Sequence, residues 1–455
     1  MMTPGIPTSP DDILPLVRAW GRDKLLGIRV FSYGLTKRLD GRLRALPEDF
    51  MVSEVLRDGS VATTAAHRAR DGGTHPLYVM VKRNLDTLTA VGEFSSAVGL
   101  KPWDVDHLGL KDKRALTFQF ISPVKSHALR KVLRGSSWEA HLIAMSPARI
   151  RPFDLRGNLF WTTIRLRAPT PVAEVRGVLD DFRSRASEVG LLNFFGHQRF
   201  GGRKPVNHIA GYLIAKRDYE AACKVMLCAP CPGEAAEFAE ARADLFEGRD
   251  RDKLARLARS SFPVERRLAK NLLRHDWDAR RSILSLPANL LRFLLESFSS
   301  FLFNDTLSAI SDRLLGEQVR EGALYVNTDK AGGFLTTYAR ATPSNARRIG
   351  EDLRLRRAVP AVACPGFMTG SAVEDRTMEA MADLGVGCPS FQIQERPDAG
   401  YPGQVRPAIV FPRLISASPI DEGSAFLSFF LPRSSYATIL LRELLARRRP
   451  SFAEA

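Results

Sequence analysis

Cysteine is scarce in this chain of 455 residues, which contains only five. They stand at positions Cys223, Cys228, Cys231, Cys364 and Cys388. An odd, sparse set in so long a chain does not form a disulfide framework, so we expect reduced thiols. The pair Cys228 and Cys231 has the spacing of a zinc knuckle. A metal site is nevertheless the weaker interpretation, because no second Cys or His pair follows at the usual distance.

Long hydrophobic runs are also missing. No apolar run reaches the roughly 18 residues that are needed to span a bilayer. The richest segment, residues 290–303, is interrupted by Arg292 and Glu296. The N-terminus lacks the basic-then-apolar pattern of a secretory signal. We therefore expect a cytoplasmic protein with no membrane partner.

Several familiar catalytic patterns do not occur. The chain has no G-x-S-x-G elbow, no H-E-x-x-H helix and no Walker loop for phosphate. Gly201 and Gly202 lack the further glycines and the acidic partner of a dinucleotide site. The eight histidines are scattered without ligand spacing. We therefore expect no cofactor and no metal, and a metal-dependent nucleic-acid enzyme would lack the ligand clusters that it needs.

Acidic residues are outnumbered, which makes the chain strongly basic. Lys and Arg total 66 against 50 Asp and Glu, so the net charge is +16, and the sequence pI is about 9.9. Such a balance favours a polyanionic partner, with nucleic acid first. The alternative is a protein from an organism that favours Arg. No obligate protein partner is indicated.

The hydrophobic pattern changes along the chain and suggests its domains. Residues 1–35 resemble a polar leader with a short helix near 12–20, and residues 36–215 are strand-rich. Residues 216–402 are mainly helical, with an apolar stripe at helical spacing, and strand texture returns in 403–455. This order predicts an α+β domain that is interrupted by an inserted domain. The clearest candidates are the strands Phe50–Val55, Leu77–Val81, Thr117–Ser122 and Phe160–Arg167, the helix Val172–Gly190 and the stripe Leu290–Leu302.

Four segments stand out, namely Leu46–Glu54, Gly109–Ala115, Asn193–Gly201 and Leu431–Leu444. In the second segment, Asp112 stands between Lys111 and Lys113. Neighbouring cations favour the ionised form of a carboxylate, so Asp112 is a candidate nucleophile. Taken alone, a charge cluster of this kind is more often a solvated turn.

The third segment mixes aromatic, amide and basic side chains between glycines. Rings such as Phe195 supply stacking faces for an unstacked base. Amides such as Asn193 and Gln198 read base edges, and Arg199 can hold phosphate. The alternative is a set of aromatic rings packed under a glycine turn.

Together, the four segments resemble the TruD family of pseudouridine synthases. The family pattern G-x-K-D-K-x-A matches Gly109–Ala115, and N-x-F-G-x-Q-R-F-G matches Asn193–Gly201. P-E-D-F-x-V-x-E matches Pro47–Glu54, and L-P-x-x-S-Y-A-T-x-x-L-R-E matches Leu431–Glu443. Weaker matches are Lys82, Asn84, Thr87, Gly157-Asn158, Phe160, Phe303-Asn304 and Arg406-Pro407. The version with His197 and the length of the chain are more similar to archaeal or eukaryotic members than to compact bacterial ones.

The resemblance implies a pseudouridine-synthase catalytic domain with a mixed or antiparallel sheet, interrupted by an inserted α/β TRUD domain. It implies a tRNA-uridine isomerase that acts on position thirteen without a cofactor. Asp112 would be the catalytic residue, either attacking C1′ or removing the C2′ proton. The candidates for contact with substrate RNA are Arg44, Phe50, Lys111, Lys113, Arg114, Asn193, Phe195, Arg199 and Arg442. The alternatives are a non-catalytic RNA-binding or RNA-folding protein that keeps this fold, and the same chemistry at another RNA site.

Some of these candidates carry a more specific expectation. Arg44 stands where family members commonly have Lys. If the second segment is extended, Arg114 shares a face with Asp112, and both flanking lysines turn towards RNA phosphate. Phe50 and Phe195 are the candidates for stacking with the flipped uracil. We also expect a basic group in the helical middle to grip phosphates, namely Arg266, Arg267, Lys270 and Arg274.

Overall fold

The computed structural model describes residues 21–65, 72–124, 130–202, 204–231, 233–315, 318–329 and 333–446. The helix expected near residues 12–20 lies outside the described residues. Leu26, Ile28 and Tyr33 from the second half of the expected leader are buried in the main hydrophobic core. This part of the leader therefore belongs to the folded chain. No helix among the described residues is long and apolar enough to cross a membrane.

The described chain contains both strands and helices throughout. The strands are β1 (Gly41–Arg42), β2 (Phe50–Leu56), β3 (His75–Arg83), β4 (Val105–His107), β5 (Leu116–Pro123), β6 (Val132–Arg134), β7 (Trp138–Ser146), β8 (Leu155–Leu166), β9 (Leu191–Leu192), β10 (Leu324–Thr328), β11 (Phe334–Arg340), β12 (Ala358–Cys364), β13 (Gln404–Pro407), β14 (Ile409–Val410), β15 (Arg413–Asp421) and β16 (Ser424–Pro432). The helices are α1 (Gly21–Leu25), α2 (Thr87–Ala97), α3 (Val172–Glu188), α4 (Asn207–Ala215), α5 (Tyr219–Cys228), α6 (Ala236–Arg242), α7 (Arg251–Leu257), α8 (Pro263–Arg274), α9 (Ala279–Leu284), α10 (Ala288–Ala309), α11 (Ser311–Leu314), α12 (Ala346–Arg354), α13 (Asp375–Asp383) and α14 (Ala437–Leu444).

The largest sheet is mixed and has the strand order β15-β16-β8-β2-β5-β3-β7-β6, with β1 against β8 and β4 against β5. β2 and β5 run parallel, with Met51 opposite Leu116. Parallel neighbours start at the same edge of a sheet. The residues just before β2 and those just before β5 therefore lie side by side. The Gly109–Ala115 segment ends where β5 begins, so the topology brings it next to the chain that leads into Phe50.

The C-terminal strand returns to this sheet after the helical middle. β16 pairs with β8 from Ser424 opposite Arg165 to Pro432 opposite Gly157. The middle of the chain instead builds helices around a four-stranded antiparallel sheet in the order β11-β10-β12-β13. This architecture confirms the predicted α+β fold with an inserted unit. The domain bounds stay a prediction, and β13 shows that the smaller sheet includes residues beyond 402.

Helix α10 organises the helical middle. Leu291, Leu294, Leu295 and Phe298 are fully buried along it, as their helical spacing predicts. α4 crosses α10 so closely at Gly211 that a Cβ atom there would lie 2.0 Å from the Leu294 carbonyl oxygen. Only glycine permits this approach, so Gly211 sets the distance between the two helices.

Aspartate side chains begin several helices of the described chain. Asp86 accepts a hydrogen bond from the Thr89 main-chain N–H at 2.9 Å and so caps α2. Asp218, Asp250 and Asp278 cap α5, α7 and α9 in the same way. Such caps satisfy N–H groups that have no partner inside the helix. The cap at Asp86 also fixes the chain between β3 and α2, which borders the cleft described next.

Candidate active site

A cleft of about 580 Å³ lies over the large sheet, and all four sequence segments line it. The floor comes from alternate residues of neighbouring strands, Val52 on β2 with Asn158 and Phe160 on β8. The remaining lining residues are Arg44, Asp86, Thr87, Leu88, Leu110, Lys111, Asp112, Lys113, Gln198, Ser434, Ser435, Tyr436, Ala437 and Thr438. Segments far apart in sequence therefore meet at one place, and Asp112 is among the residues that they surround.

Both carboxylate oxygens of Asp112 have a polar partner. Its Oδ2 lies 3.1 Å from Nη2 of Arg44, and its side chain is 18% exposed. Gln198 donates a hydrogen bond from its amide to Oδ1. An ionised carboxylate only accepts hydrogen bonds, so a guanidinium and an amide N–H suit it on the two sides. The carboxylate is held in place and still open to the cleft.

Arg44 is fixed by a ring as well as by Asp112. Its guanidinium lies 4.1 Å from the centre of the Phe50 ring, and Phe50 itself is fully buried. Arg44 has a φ of 59°, a left-handed conformation that is unusual for a residue with a side chain. The structure thus corrects the expectation that Phe50 stacks with a base, because its ring is buried and supports Arg44.

The side chain of Lys111 turns into the protein although the residue borders the cleft, contrary to the expectation that it contacts phosphate. Its side chain is 8% exposed, and its Nζ lies 2.6 Å from Oε1 of the fully buried Glu54. The second oxygen of Glu54 accepts the main-chain N–H of Phe120 at 2.7 Å. The main-chain N–H of Lys111 donates to the Thr87 hydroxyl at 2.9 Å. Lys111 therefore anchors the loop that carries Asp112, and it does so inside the protein.

The cation beside Asp112 differs from the predicted one. The predicted alternation required an extended segment, but Lys111 to Arg114 form an irregular loop before β5. Arg44 takes the place that was expected for Arg114. Lys113 and Arg114 are both exposed, and Lys113 lines the cleft. These two residues stay predicted RNA contacts.

Asn193 and Phe195 form a buried connection to β13, which corrects their expected roles. The guanidinium of Arg406 lies 3.9 Å from the centre of the Phe195 ring, and it donates to Oδ1 of Asn193 at 3.1 Å. Asn193 donates its amide to the Pro407 carbonyl at 3.0 Å. Both side chains are about 1% exposed. Neither the ring nor the amide is open to a base in this structure.

Two arginines of the predicted contact set are held by carboxylates. Arg199 pairs with Glu296 at 3.1 Å. Arg442 is 9% exposed and pairs with Asp23 at 2.6 Å. Burial alone would raise the pKa of Asp23, but His197 and Arg442 outweigh it and hold this pKa well below its usual range. Arg442 therefore ties α14 to α1, and its predicted contact with RNA is corrected.

Two contacts of Asp112 come from residues outside the predicted contact set. Gln198 belonged to the third segment, where it stood among residues suited to a base. Lys82 was only a weaker match, yet it is fully buried and donates to the Asp112 carbonyl at 2.9 Å. The sequence did contain a signal for Lys82. In the alternating pattern of β3, Lys82 falls on the same buried face as Tyr78 and Met80. Among the described residues, no group of three or more His, Cys, Asp or Glu side chains is placed to hold a metal ion.

Comparisons with known proteins agree over nearly the whole chain. A probable tRNA pseudouridine synthase D from Archaeoglobus fulgidus is 31% identical over 430 residues, which cover 90% of this chain and 96% of that protein. A probable tRNA pseudouridine synthase D from Thermococcus onnurineus is 29% identical over 417 residues, 90% of this chain and 95% of that protein. The crystal structure of the putative tRNA pseudouridine synthase D from Methanosarcina mazei superposes with a TM-score of 0.73 at 26% identity, and the match covers 93% of this chain and 97% of that one.

These matches place the chain among the isomerases that act on uridine in tRNA. Within that class it belongs to the TruD family, since the family model for tRNA pseudouridine synthase D matches residues 26–444. The resemblance of the four sequence segments is thereby confirmed.

Proposed function

We propose that this protein converts the uridine at position thirteen of tRNA into pseudouridine and that Asp112 is its catalytic carboxylate. One observation carries the proposal: Asp112 lies where the four family segments meet, between the guanidinium of Arg44 and the amide of Gln198. The cleft volume of about 580 Å³ falls within the range of about 300–1,000 Å³ that is typical of small-ligand sites. That volume suits one nucleotide turned out of its stack.

The proposed reaction is an isomerisation that balances without a second substrate. The N1–C1′ bond of uridine breaks, the uracil turns, and a C5–C1′ bond forms. The proton on C5 leaves, and N1 gains one. Asp112 serves either by attacking C1′ or by removing the C2′ proton, and both roles require an ionised carboxylate. Its two hydrogen-bonding partners hold the oxygens in one orientation, which favours a reaction that depends on placement.

The flipped uracil needs a surface to replace its stacking partners. Extrusion costs a few kcal/mol, and one aromatic contact returns about 1–3 kcal/mol. Phe160 and Tyr436 line the cleft, whereas Phe50 and Phe195 are buried away from bases. We assign the contact with the uracil to Tyr436, because its ring is only half-buried. Lys113 and Arg114, both exposed, are suited to the neighbouring phosphates. A tRNA substrate also supports a cytoplasmic location.

The test follows tritium from the C5 position of uridine in tRNA. Wild-type protein should release tritium from tRNA that carries uridine at position thirteen. It should release none once cytidine replaces that one uridine. Equal release from both tRNAs would mean that another uridine is the target. Binding of tRNA without release from any uridine would favour the non-catalytic RNA-binding protein.

A further inference from the structure

Lys82 is a buried cation in contact with the loop that carries Asp112. Its side chain is fully buried. Its Nζ donates hydrogen bonds to the main-chain carbonyls of Asp112 at 2.9 Å and Leu85 at 2.7 Å. An ammonium group has three donors and no acceptor. Two of these donors connect the catalytic loop to the turn that follows β3.

The sequence of β3 shows that packing alone does not require a lysine here. Tyr78 and Met80 lie on the same face as Lys82 and belong to the core beneath α2. Leu77 and Val79 point to the opposite core. With the period of two of a strand, Lys82 continues an apolar face. A buried charge is costly unless it is paired and hydrogen-bonded, so the contacts of Lys82 explain its presence better than its volume does.

The stretch from Lys82 at the end of β3 to Thr87 at the start of α2 holds the catalytic loop at three points. The Thr87 hydroxyl accepts the main-chain N–H of Lys111 at 2.9 Å. Lys82 binds the carbonyl of the next residue, Asp112. The main-chain N–H of Asn84 donates to the Ala115 carbonyl at 3.1 Å. Both ends of the loop and its catalytic residue are therefore fixed by one short stretch of chain.

We propose that Lys82 is a positioning residue for the reaction proposed above. It fixes the main chain of Asp112 and places a positive charge, shielded from water, next to the carboxylate. The inference rests on the proposed function. It adds a second cation to the site, one that acts from inside the protein while Arg44 acts from the cleft.

The charge on Lys82 depends on pH within a range that can be measured. Burial lowers the pKa of Lys82 to about 8; the charges of Asp112 and Asp86 oppose this shift, and that of Lys111 adds to it. Below this pH the ammonium is charged, and above it the charge is lost. The rate of the reaction should therefore fall as the pH rises through about 8.

The effect of Lys82 on folding stability should have the opposite pH dependence from its effect on the rate. A lysine in the unfolded chain titrates at about 10.4. Between these two pH values the unfolded chain binds more protons at this position than the folded chain does. The contribution of Lys82 to folding stability therefore rises with pH over that window. A rate that falls while the protein stays folded would separate positioning from a purely structural role.

The experiment measures single-turnover formation of pseudouridine from pH about 6 to about 9.5, across the titration of Lys82. Lys82→Met keeps the apolar volume and removes the donors and the charge. Its rate at neutral pH should fall about 100-fold, as for a small misplacement of a catalytic group, while tRNA binding stays close to wild type. Lys82→Arg keeps a charge throughout this pH range. It should retain more of the rate than Lys82→Met, without the alkaline fall.

Lys204→Met is the matched control. Lys204 is also buried, burial likewise lowers its pKa to about 8, and its Nζ binds Glu265 on α8 at 2.9 Å. It is the main chain of Lys204, which the substitution keeps, that contacts the turn at Gly201. This variant should melt at a lower temperature and keep the wild-type pH profile. A wild-type rate in Lys82→Met, an alkaline fall that persists in Lys82→Arg, or equal losses in Lys82→Met and Lys204→Met would overturn the inference. A wild-type protein that forms no pseudouridine at any pH would overturn the proposed function first.

Discussion

At the scale of single residues, the site places Asp112 between two cations that are held in different ways. Arg44 contacts the carboxylate at 3.1 Å and lies on the Phe50 ring. Lys82 contacts the main chain of Asp112 from the protein interior. Because the Arg44 guanidinium is flat and stacked on a ring, whereas the Lys82 ammonium is compact and buried, we do not expect the two cations to be fully interchangeable with other basic residues.

The first prediction concerns Arg44. Arg44→Lys keeps the charge but loses the planar group that lies on Phe50 and places Nη2 against Asp112. The single-turnover rate should fall about tenfold, and in Arg44→Ala about 100-fold, since the carboxylate loses its orientation. Arg83→Lys is the control, because Arg83 is exposed and pairs with Glu48 away from Asp112. Equal rates for wild type and Arg44→Lys would show that the stacked geometry does not matter.

The sequence singled out Asp112, which lies in the cleft, but several of its contacts could not be predicted. The residues next to Asp112 in the chain suggested that Arg114 pairs with it, and the structure supplies Arg44 instead. The burial of two predicted contact residues could not be predicted from the sequence either. Phe195 and Asn193 have side chains suited to a base, yet Arg406 covers them from a strand that lies far along the chain. Local sequence shows which groups are available, whereas tertiary packing decides which of them face the cleft.

At the scale of elements, a short 3-10 helix carries Gln198 to Asp112. It spans His197–Phe200 and ends at Gly201, which has a φ of 109°. A Cβ atom on Gly201 would lie 2.3 Å from the Lys204 carbonyl oxygen. The turn can close only with glycine here, and this closure fixes the direction of Gln198.

Two neighbouring glycines provide the second prediction. Gly201→Ala should lower the free energy of unfolding by about 2 kcal/mol or more, because a strained φ and a clash combine. The single-turnover rate should also fall about tenfold as Gln198 moves. Gly202→Ala is the matched control, since Gly202 also has a positive φ but open space around its Cβ position. Gly202→Ala should lower the free energy of unfolding by only about 1–2 kcal/mol and leave the single-turnover rate unchanged. Denaturant unfolding and the tritium assay check both effects, and equal loss of rate in the two variants would contradict this role for the turn.

The elements themselves were largely visible in the sequence. β2, β3, β5 and β8 fall on predicted strands, and α10 contains the predicted stripe. The loop before β5 was the exception, because alternating charges there suggested an extended segment. Its geometry is set by contacts with Glu54 and with Lys82 near the end of β3, which no local pattern reveals.

At the scale of the whole molecule, charge is the property from which we predict that the helical middle contacts RNA. The net charge of +16 favours a polyanion, and the family match supplies tRNA as the class of substrate. Arg267, Lys270 and Arg274 are exposed on α8, as the expected phosphate grip requires. Arg266 is exposed as well and donates to the Ser260 carbonyl at 3.1 Å.

The third prediction tests this basic row on α8. Replacing Arg267, Lys270 and Arg274 with Gln should reduce the slope of log affinity against log salt by about two to three, or about 0.7–0.9 for each lost phosphate contact. The rate at saturating protein should not change. Arg134→Gln, at an exposed residue of β6 that pairs with Glu139, is the control and should leave the slope unaltered. An unchanged slope in the triple variant would place the phosphate contacts elsewhere.

The overall architecture was predicted partly from the strand texture at both ends of the chain and mostly from the resemblance to the TruD family, and the pairing of β16 with β8 agrees with it. The register between these strands could not be predicted, because it depends on which faces meet in the folded sheet. That register, together with the parallel pair β2 and β5, brings the four segments to one cleft. The sequence showed that the segments belong together, and the sheet shows how they meet.

The most direct test of the account compares two carboxylates that line the same cleft. Asp112→Asn removes the charge of the proposed catalytic group with little change in shape. Asp86→Asn removes a charge too, yet asparagine still caps α2. Pseudouridine formation is measured in a single turnover, with tRNA binding followed separately. The account predicts that Asp112→Asn binds tRNA and forms no pseudouridine, while Asp86→Asn keeps most of the wild-type rate. The account would be contradicted if Asp112→Asn formed pseudouridine at the wild-type rate, or if only Asp86→Asn lost this activity.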